Sequence, residues 1–367
     1  MVLPDVRRYR RHLLIPGVGL AGQRRLAAAR VLVVGAGGLG SPVLQYLAAA
    51  GIGRLGIVDD DTVDLSNLQR QVLYTTADVG RPKVVAAAER LAALNPEVAI
   101  DPYPVRFLAA NARTLVRPYD VVIDATDSFA ARYVINDAAR LEGRPDVYGS
   151  ISTFEGQVAV FAPGGPCYRC LFPEPPPAGT VPTCAEAGVL GALAGLVGTW
   201  QATEALKLVL GLGEPLAGRL LVVDALSART REFAVASDPG CPLHGDAPTI
   251  RDVADLAEEP RSGATAVELP AEDLDDYLAA RPAALVLDVR ERHERSFPAP
   301  RALEMPASEL DGRLAELDPA RELVVACGHG TVSRWALARL RAAGFARLTH
   351  LEGGLLAREV ARERELA

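Results

Sequence analysis

The sequence predicts an α/β chain: a doubly wound, mainly parallel sheet followed by a second, smaller α/β unit. Three observations carry this. Strand-length apolar runs alternate with helical stretches through the first part of the chain. The first run breaks into a glycine turn that opens a helix. After an irregular acidic stretch near residue 250, a compact strand–helix pattern starts again. The chain has 367 residues, 49% hydrophobic and 23% charged, which is ordinary globular composition. At roughly 100–200 residues per domain, two domains are expected.

"RVLVVGAGGLGSPVLQYLAAAG" (30–51) reads as a buried strand, a glycine turn and a helix. "RLGIVDDD" (54–61) is a second strand ending in acids, and "RPKVVAAAERLAALNP" (81–96) a helix. "DVVIDATD" (120–127) is another apolar strand with acids at its carboxyl end. From 163 to 183 proline and glycine dominate, the composition of a surface crossover. "GVLGALAGLVGTW" (188–200) is short for a membrane span and rich in glycine, so it reads as a buried helix. "WQATEALKLVLG" continues as an amphipathic helix, and "RLLVVDAL" is a further strand. Residues 246–270 read as a linker between a domain at 1–245 and one at 271–367. The latter holds the strands "ALVLDVRE", "ELVVAC" and "RLTHLEGG" and the helix "TVSRWALARLRAAGF".

Charge and leader patterns exclude some functions. A net charge of −7 supplies no basic surface for nucleic acid or anionic membranes. "MVLPDVRRYRRHLLIPG" has charges but no apolar signal core after them. Five scattered cysteines are no disulfide scaffold. A reducing cytoplasm is the expected compartment, and there such cysteines serve as ligands or nucleophiles.

The glycine turn points to a phosphate. Gly35, Gly37, Gly38 and Gly40 let backbone approach a ligand at a helix N-terminus, whose free N–H groups attract anions. Asp59, at the end of the next strand, sits where an acid meets a ribose hydroxyl. On these residues alone the ligand is a nucleotide or dinucleotide, and a hydride-transferring oxidoreductase stays open. The segment after the second strand is unlike that of a dehydrogenase. "DTVDLSNLQRQVLYTTADVGRPK" puts Asn67, Gln69, Arg70 and Lys83 there, where cations can meet a triphosphate. "DATDS" puts Asp124 and Asp127 at a strand end, where a carboxylate can hold Mg²⁺ bridging phosphate oxygens.

"RYRRHLL", "GAGGLGSP", "DDDTVDLSNLQRQ", "VGRPK", "DATDSF", "CYRC" and "TCAEAGVLG" resemble the MoeB/ThiF family. These adenylyltransferases activate ubiquitin-like sulfur carriers and are related to ubiquitin-activating enzymes. The resemblance covers about residues 5–245. It implies ATP binding by Gly38, Asp59, Ser66, Asn67, Leu68, Gln69, Arg70, Lys83, Asp127 and Ser128, with Asp127 supporting Mg²⁺ and catalysis. It implies that Arg11 reaches the neighbouring subunit's ATP, hence a homodimer. The implied reaction is adenylation of a sulfur carrier protein's C-terminal glycine.

Cys167 and Cys170 form C-x₂-C within a proline- and glycine-rich loop. Read alone they are a redox pair, packed thiols or half a metal site. The resemblance implies a structural Zn²⁺ held by two such pairs, and here the second pair is Cys241 with His244 in "CPLH". Imidazole in place of thiolate keeps a four-ligand set. Cys184 occupies a position that the resemblance makes a candidate for a covalent link to the carrier; a buried structural thiol is the alternative.

Cys327 follows an apolar strand and precedes a glycine-bearing loop and a helix, an arrangement that favours a sulfur anion. With "LVLDVRE" and "HLEGG", the last hundred or so residues resemble a rhodanese domain, which implies a Cys327 persulfide. A cysteine desulfurase is the implied sulfur donor. Two features depart from that pattern. Val332 stands where a loop arginine is usual, with Arg334 after Ser333, and the common "HIPGA" element is reduced to "FPAPRA". A degenerate docking module therefore stays open beside the active sulfurtransferase.

Overall fold

A computed structural model describes residues 5–175, 188–256 and 267–366. The chain divides into two compact units, Met1–Ala257 and Glu258–Ala367.

The first unit is built on one eight-stranded sheet of order β3-β2-β1-β4-β5-β6-β7-β8. Its strands are β1 (Arg30–Val34), β2 (Arg54–Val58), β3 (Ala99–Tyr103), β4 (Val121–Asp124), β5 (Asp146–Ser152), β6 (Glu155–Phe161), β7 (Arg219–Asp224) and β8 (Arg229–Ala234). The first five in spatial order run parallel, and β6 to β8 add on antiparallel. β1 and β4 are apolar from side to side because helices cover both faces of this part of the sheet. Strand order reverses between β1 and β4, so the connections leaving their carboxyl ends diverge and open a crevice.

The antiparallel half carries the weakest local signals in this sheet. β5 and β6 form a hairpin whose pairing closes at Ser152↔Glu155, with Thr153 at φ 49° in the turn. Threonine is an unusual residue for that conformation, so no Asn-Gly or Asp-Gly signal marks the turn. β8 is exposed along its whole length, an edge strand without an apolar period.

The apolar segment 188–200 and the amphipathic one after it form a single helix, Gly191–Leu210. It is apolar nearly all round because it is sandwiched between the helix Gly40–Ala50 and the sheet. Glycine permits the close approach: a Cβ at Gly198 would lie 2.4 Å from the Leu39 carbonyl oxygen. Among the described residues no helix is long and apolar enough to cross a membrane.

The second unit is a five-stranded, all-parallel sheet of order β11-β10-β12-β13-β9. Its strands are β9 (Val267–Pro270), β10 (Leu285–Asp288), β11 (Ala302–Glu304), β12 (Leu323–Ala326) and β13 (Leu348–Glu352). The stretch expected as a linker, 246–270, needs correction at both of its described ends. Residues 267–270 are the edge strand β9, paired with β13 far along the chain. Residues 250–256 pack onto the first unit. Val253 joins the cluster around Phe107 and Val116, and Asp255 accepts a hydrogen bond from the Ala109 N–H at 2.8 Å. Both pieces are too short for a periodic signal, so only their distant partners reveal them.

Candidate functional site

The glycine turn sits at the topological switch point. Gly35 leaves β1 with φ 95°, and a Cβ there would lie 2.6 Å from the Ala125 carbonyl oxygen. Gly40 starts the helix so close that its Cβ would meet the Gly35 carbonyl at 2.1 Å. These two glycines are required by packing. Gly37 and Gly38 make no such backbone clash, which leaves them as the approach for a ligand.

Asp59 lies just past the end of β2 and reaches into the turn. Its carboxylate accepts from the Ala36 N–H at 2.8 Å and from the Asp61 N–H at 2.9 Å. Burial pushes this carboxyl up, while Lys83 and the two N–H groups pull it back. Lys83 opens the helix Lys83–Leu94 and is buried. Its Nζ meets Asp61 at 3.0 Å, and its own N–H donates to the Asp61 carbonyl. That places a fixed cation behind the acidic run.

The segment Ser66–Gln71 closes the other side. Asp64 caps its 3₁₀ turn by accepting from the Ser66 N–H at 2.7 Å. Asn67 donates to the Ser66 hydroxyl at 3.4 Å, and Leu68 packs on the core. Arg70 donates to the Ser66 carbonyl and lies over Gly38, its Cγ 3.4 Å from where a Cβ would stand. The Gln69 carbonyl abuts Gly191 at the start of the long helix, where a Cβ would sit 2.2 Å away.

At the end of β4, Asp124 is buried and holds Thr126 through its N–H and hydroxyl. Burial raises the Asp124 carboxyl, and Arg132 opposes that. Asp127 is exposed three residues on, and Ser128 caps the helix Phe129–Leu141 by accepting from the Ala131 N–H. The carboxyl ends of β1, β2 and β4 thus bring the predicted glycines, Asp59, Ser66 to Arg70, Lys83, Asp127 and Ser128 to one rim. Arg11 is exposed on the short helix Arg10–Leu13, and among the described residues no hydrogen bond or ion pair ties it to this rim.

Sequence reasoning missed several supports. Tyr74 donates to the Ala36 carbonyl at 2.8 Å and fixes the turn from below. Arg132 is buried over the Phe129 and Tyr148 rings, at 4.9 and 5.7 Å. Each lies outside the motif it supports, so only the fold joins them.

Cys167, Cys170, Cys241 and His244 converge, their ligand atoms all within 4.8 Å of one another. The Cys167–Cys241 sulfurs are 3.7 Å apart, and Cys170 Sγ is 3.2 Å from His244 Nε2. Zn–S bonds of about 2.3 Å and Zn–N bonds of about 2.0–2.1 Å put ligand atoms at such separations around a tetrahedral ion. Burial pushes the Cys167 thiol up and the His244 imidazolium down. The four residues can therefore hold a metal ion. Their loop is itself anchored: Arg169 forms a buried bidentate pair with Asp137 at 2.8 and 2.7 Å, and Asn136 accepts from the Tyr168 N–H. Cys184 lies outside the described residues.

In the second unit Cys327 follows β12 and is 3% exposed. Its sulfur accepts from the Gly330 N–H at 3.1 Å and lies 3.4 Å from the Ser333 hydroxyl. Gly330, at φ 89°, turns the loop into the helix Thr331–Ala342. Val332, in the place of the usual arginine, is half-buried against the core, while Arg334 pairs with Glu268 at 3.2 Å.

Comparison with known proteins gives concordant results. Residues 9–243 match the ThiF family, and residues 270–358 match the Rhodanese-like domain. A sulfur carrier protein adenylyltransferase of Thermus thermophilus is 57% identical over 257 residues, 68% of this chain and 95% of its own. The probable adenylyltransferase/sulfurtransferase MoeZ of Mycobacterium tuberculosis is 45% identical over 365 residues, 96% of this chain and 92% of its own. Among solved structures, E. coli MccB crystallised with ATP aligns with a TM-score of 0.56 over 66% of this chain and 76% of that one; at 20% identity the likeness is one of fold. The turn at the switch point, the cation-bearing segment after β2 and the cysteine loop after β12 are thus those of a chain that belongs to the ThiF family and ends in a rhodanese-like domain.

Proposed function

We propose that this protein adenylates the C-terminal glycine of a ubiquitin-like sulfur carrier with Mg-ATP, then delivers sulfur from a Cys327 persulfide to give a carrier thiocarboxylate. One observation carries the reading. A phosphate-binding turn flanked by Arg70 and the buried Lys83 shares a chain with a cysteine seated on a loop N–H. Cations beside the turn suit a triphosphate better than they suit hydride transfer.

In the first step a carrier carboxylate oxygen attacks the α-phosphorus and pyrophosphate leaves. The site's work is to align reactants and neutralise charge. Gly37, Gly38 and the helix N-terminus receive phosphate oxygens, Asp59 meets the ribose, and Ser66 to Gln69 line the nucleotide. Arg70 and Lys83 offset the charge on the leaving pyrophosphate. Asp127, beside Ser128, would hold Mg²⁺, which would supply charge neutralisation at the phosphates. Arg11, exposed on its own chain, serves the active site of a second copy in a homodimer.

In the second step the outer sulfur of the Cys327 persulfide attacks the acyl carbon and AMP leaves. A thiol then attacks the Cys327 sulfur, so that its bond to Cys327 forms as the acyl disulfide breaks and the thiocarboxylate leaves; a second thiol reduces the resulting disulfide and frees Cys327. Cys184 is a candidate for a covalent stage in this transfer. A cysteine desulfurase is the proposed source of persulfide sulfur, and free thiols of this kind belong in a reducing cytoplasm. The test is ATP–pyrophosphate exchange with and without a purified sulfur carrier. Exchange that requires the carrier's terminal glycine is expected; NAD(P)-dependent oxidation without exchange would overturn the reading.

Cys167, Cys170, Cys241 and His244 would hold a structural Zn²⁺, which would clamp the crossover after β6 to the segment after β8. Metal analysis should find about one zinc per chain, as for a closed four-ligand site. His244→Ala should lower metal retention and thermal stability while leaving ATP affinity unchanged. Purified protein that is zinc-free and still stable would remove the clamp.

A further inference from the structure

The rhodanese-like loop lacks its usual arginine, yet behind Cys327 lies a buried polar chain that ends in a charge. His350, on β13, is 1% exposed. Its Nε2 faces the Gly330 carbonyl at 2.8 Å and the Ser333 hydroxyl at 3.0 Å. Its Nδ1 faces a Glu268 carboxylate oxygen at 2.5 Å, across the β13–β9 register. A carbonyl oxygen only accepts, so Nε2 carries hydrogen. Arg334 pairs with the other Glu268 oxygen at 3.2 Å. The ring thus bridges the Glu268 carboxylate, at Nδ1, to the Gly330 carbonyl and the Ser333 hydroxyl, at Nε2.

Ser333 completes the path. It is fully buried and shares the single Nε2 hydrogen with the Gly330 carbonyl, so its own hydroxyl hydrogen needs an acceptor. Cys327 Sγ lies 3.4 Å from that oxygen. The donors then run from His350 through Ser333 to the sulfur, and the Gly330 N–H adds a second donor at 3.1 Å.

We infer that the Glu268–His350 pair, acting through Ser333, stabilises the anionic sulfur of Cys327 and replaces the loop arginine in that role. His350 and Glu268 are positioning residues, since neither touches the sulfur. The other charged neighbours do not take over this task. Arg334 is committed to Glu268, and Asp288 and Arg290, from the adjoining β10 and the turn after it, neutralise each other at 2.7 Å. His329, in the loop, points into solvent. This deepens the persulfide reading of Cys327 and rests on it, and a thiolate is the species that receives and carries sulfur.

The test is the pH profile of iodoacetamide alkylation of Cys327 in the full-length protein, followed by mass spectrometry of the Cys327 peptide. In His350→Gln the profile should move at least about one pH unit upward, so alkylation near neutral pH slows about tenfold. Glu268→Gln, at a half-exposed side chain that tolerates change, should shift it in the same direction. Ser333→Ala should shift the profile while Ser333→Thr, which keeps the hydroxyl, restores it. Superimposable profiles for folded His350→Gln and wild type would overturn the inference; if that variant does not fold, the Glu268→Gln profile decides in the same way. The persulfide reading fails separately, if Cys327→Ser leaves thiocarboxylate formation intact, because the alkylation profile does not depend on sulfur transfer.

Discussion

Replacing Cys327 by serine should abolish thiocarboxylate formation while leaving carrier-dependent ATP–pyrophosphate exchange at the wild-type rate. Serine keeps the small buried volume and a polar tip for the Gly330 N–H, so the loop survives. It cannot carry a second sulfur. The residue belongs to a unit with its own sheet and its own cores, so the nucleotide rim is not disturbed. Mass spectrometry of the carrier's C-terminus reads adenylate, thioester and thiocarboxylate together. Carrier adenylate should accumulate in the variant. Thiocarboxylate at the wild-type level would mean that the second unit only docks a partner, and the degenerate-module alternative would then hold.

The converse result is expected at the first unit. Asp127→Ala should lower carrier-dependent exchange by about 10²–10³-fold, the scale of losing one preorganised group that stabilises developing charge. Because Asp127 is exposed, and among the described residues no hydrogen bond or ion pair ties its side chain to the fold, stability should change by no more than about 0.5 kcal/mol. The neighbouring Asp124 could not be used this way. It is buried, holds Thr126 and lies beside a second buried carboxyl, Asp146, whose proton affinity burial raises strongly. Its removal would mix folding with catalysis. Exchange in Asp127→Ala within a few-fold of wild type would show that the metal sits elsewhere on the rim.

Most of the rim at the strand ends was legible because its residues lie in short continuous runs. A glycine turn after an apolar strand and a lysine at a helix start are local signals, and the parallel sheet brings strand ends together by construction. The supports were not legible. Tyr74 meets Ala36 and Gly191 meets Gln69 across long loops, and neither residue type announces such a role. The second unit shows the same division. "ACGHGTVSR" displays its cysteine, whereas Glu268 falls in the stretch expected as a linker and His350 inside an expected strand. Their pairing exists only because β9 and β13 are neighbours in the sheet.

The amino-acid sequence alone carried the α/β class, the glycine turn, the order of charged residues after β2 and the two short pairs, Cys167 with Cys170 and Cys241 with His244, which only the family resemblance joined. All of these are patterns of residue type at fixed spacing, set by strand and helix geometry. Tertiary structure alone decided that β6 to β8 join antiparallel, that the three cysteines and His244 share a few ångströms, and that a buried histidine stands behind Cys327. Those facts depend on contacts between residues far apart in the chain, and each is fixed by the burial of apolar faces that no local pattern specifies.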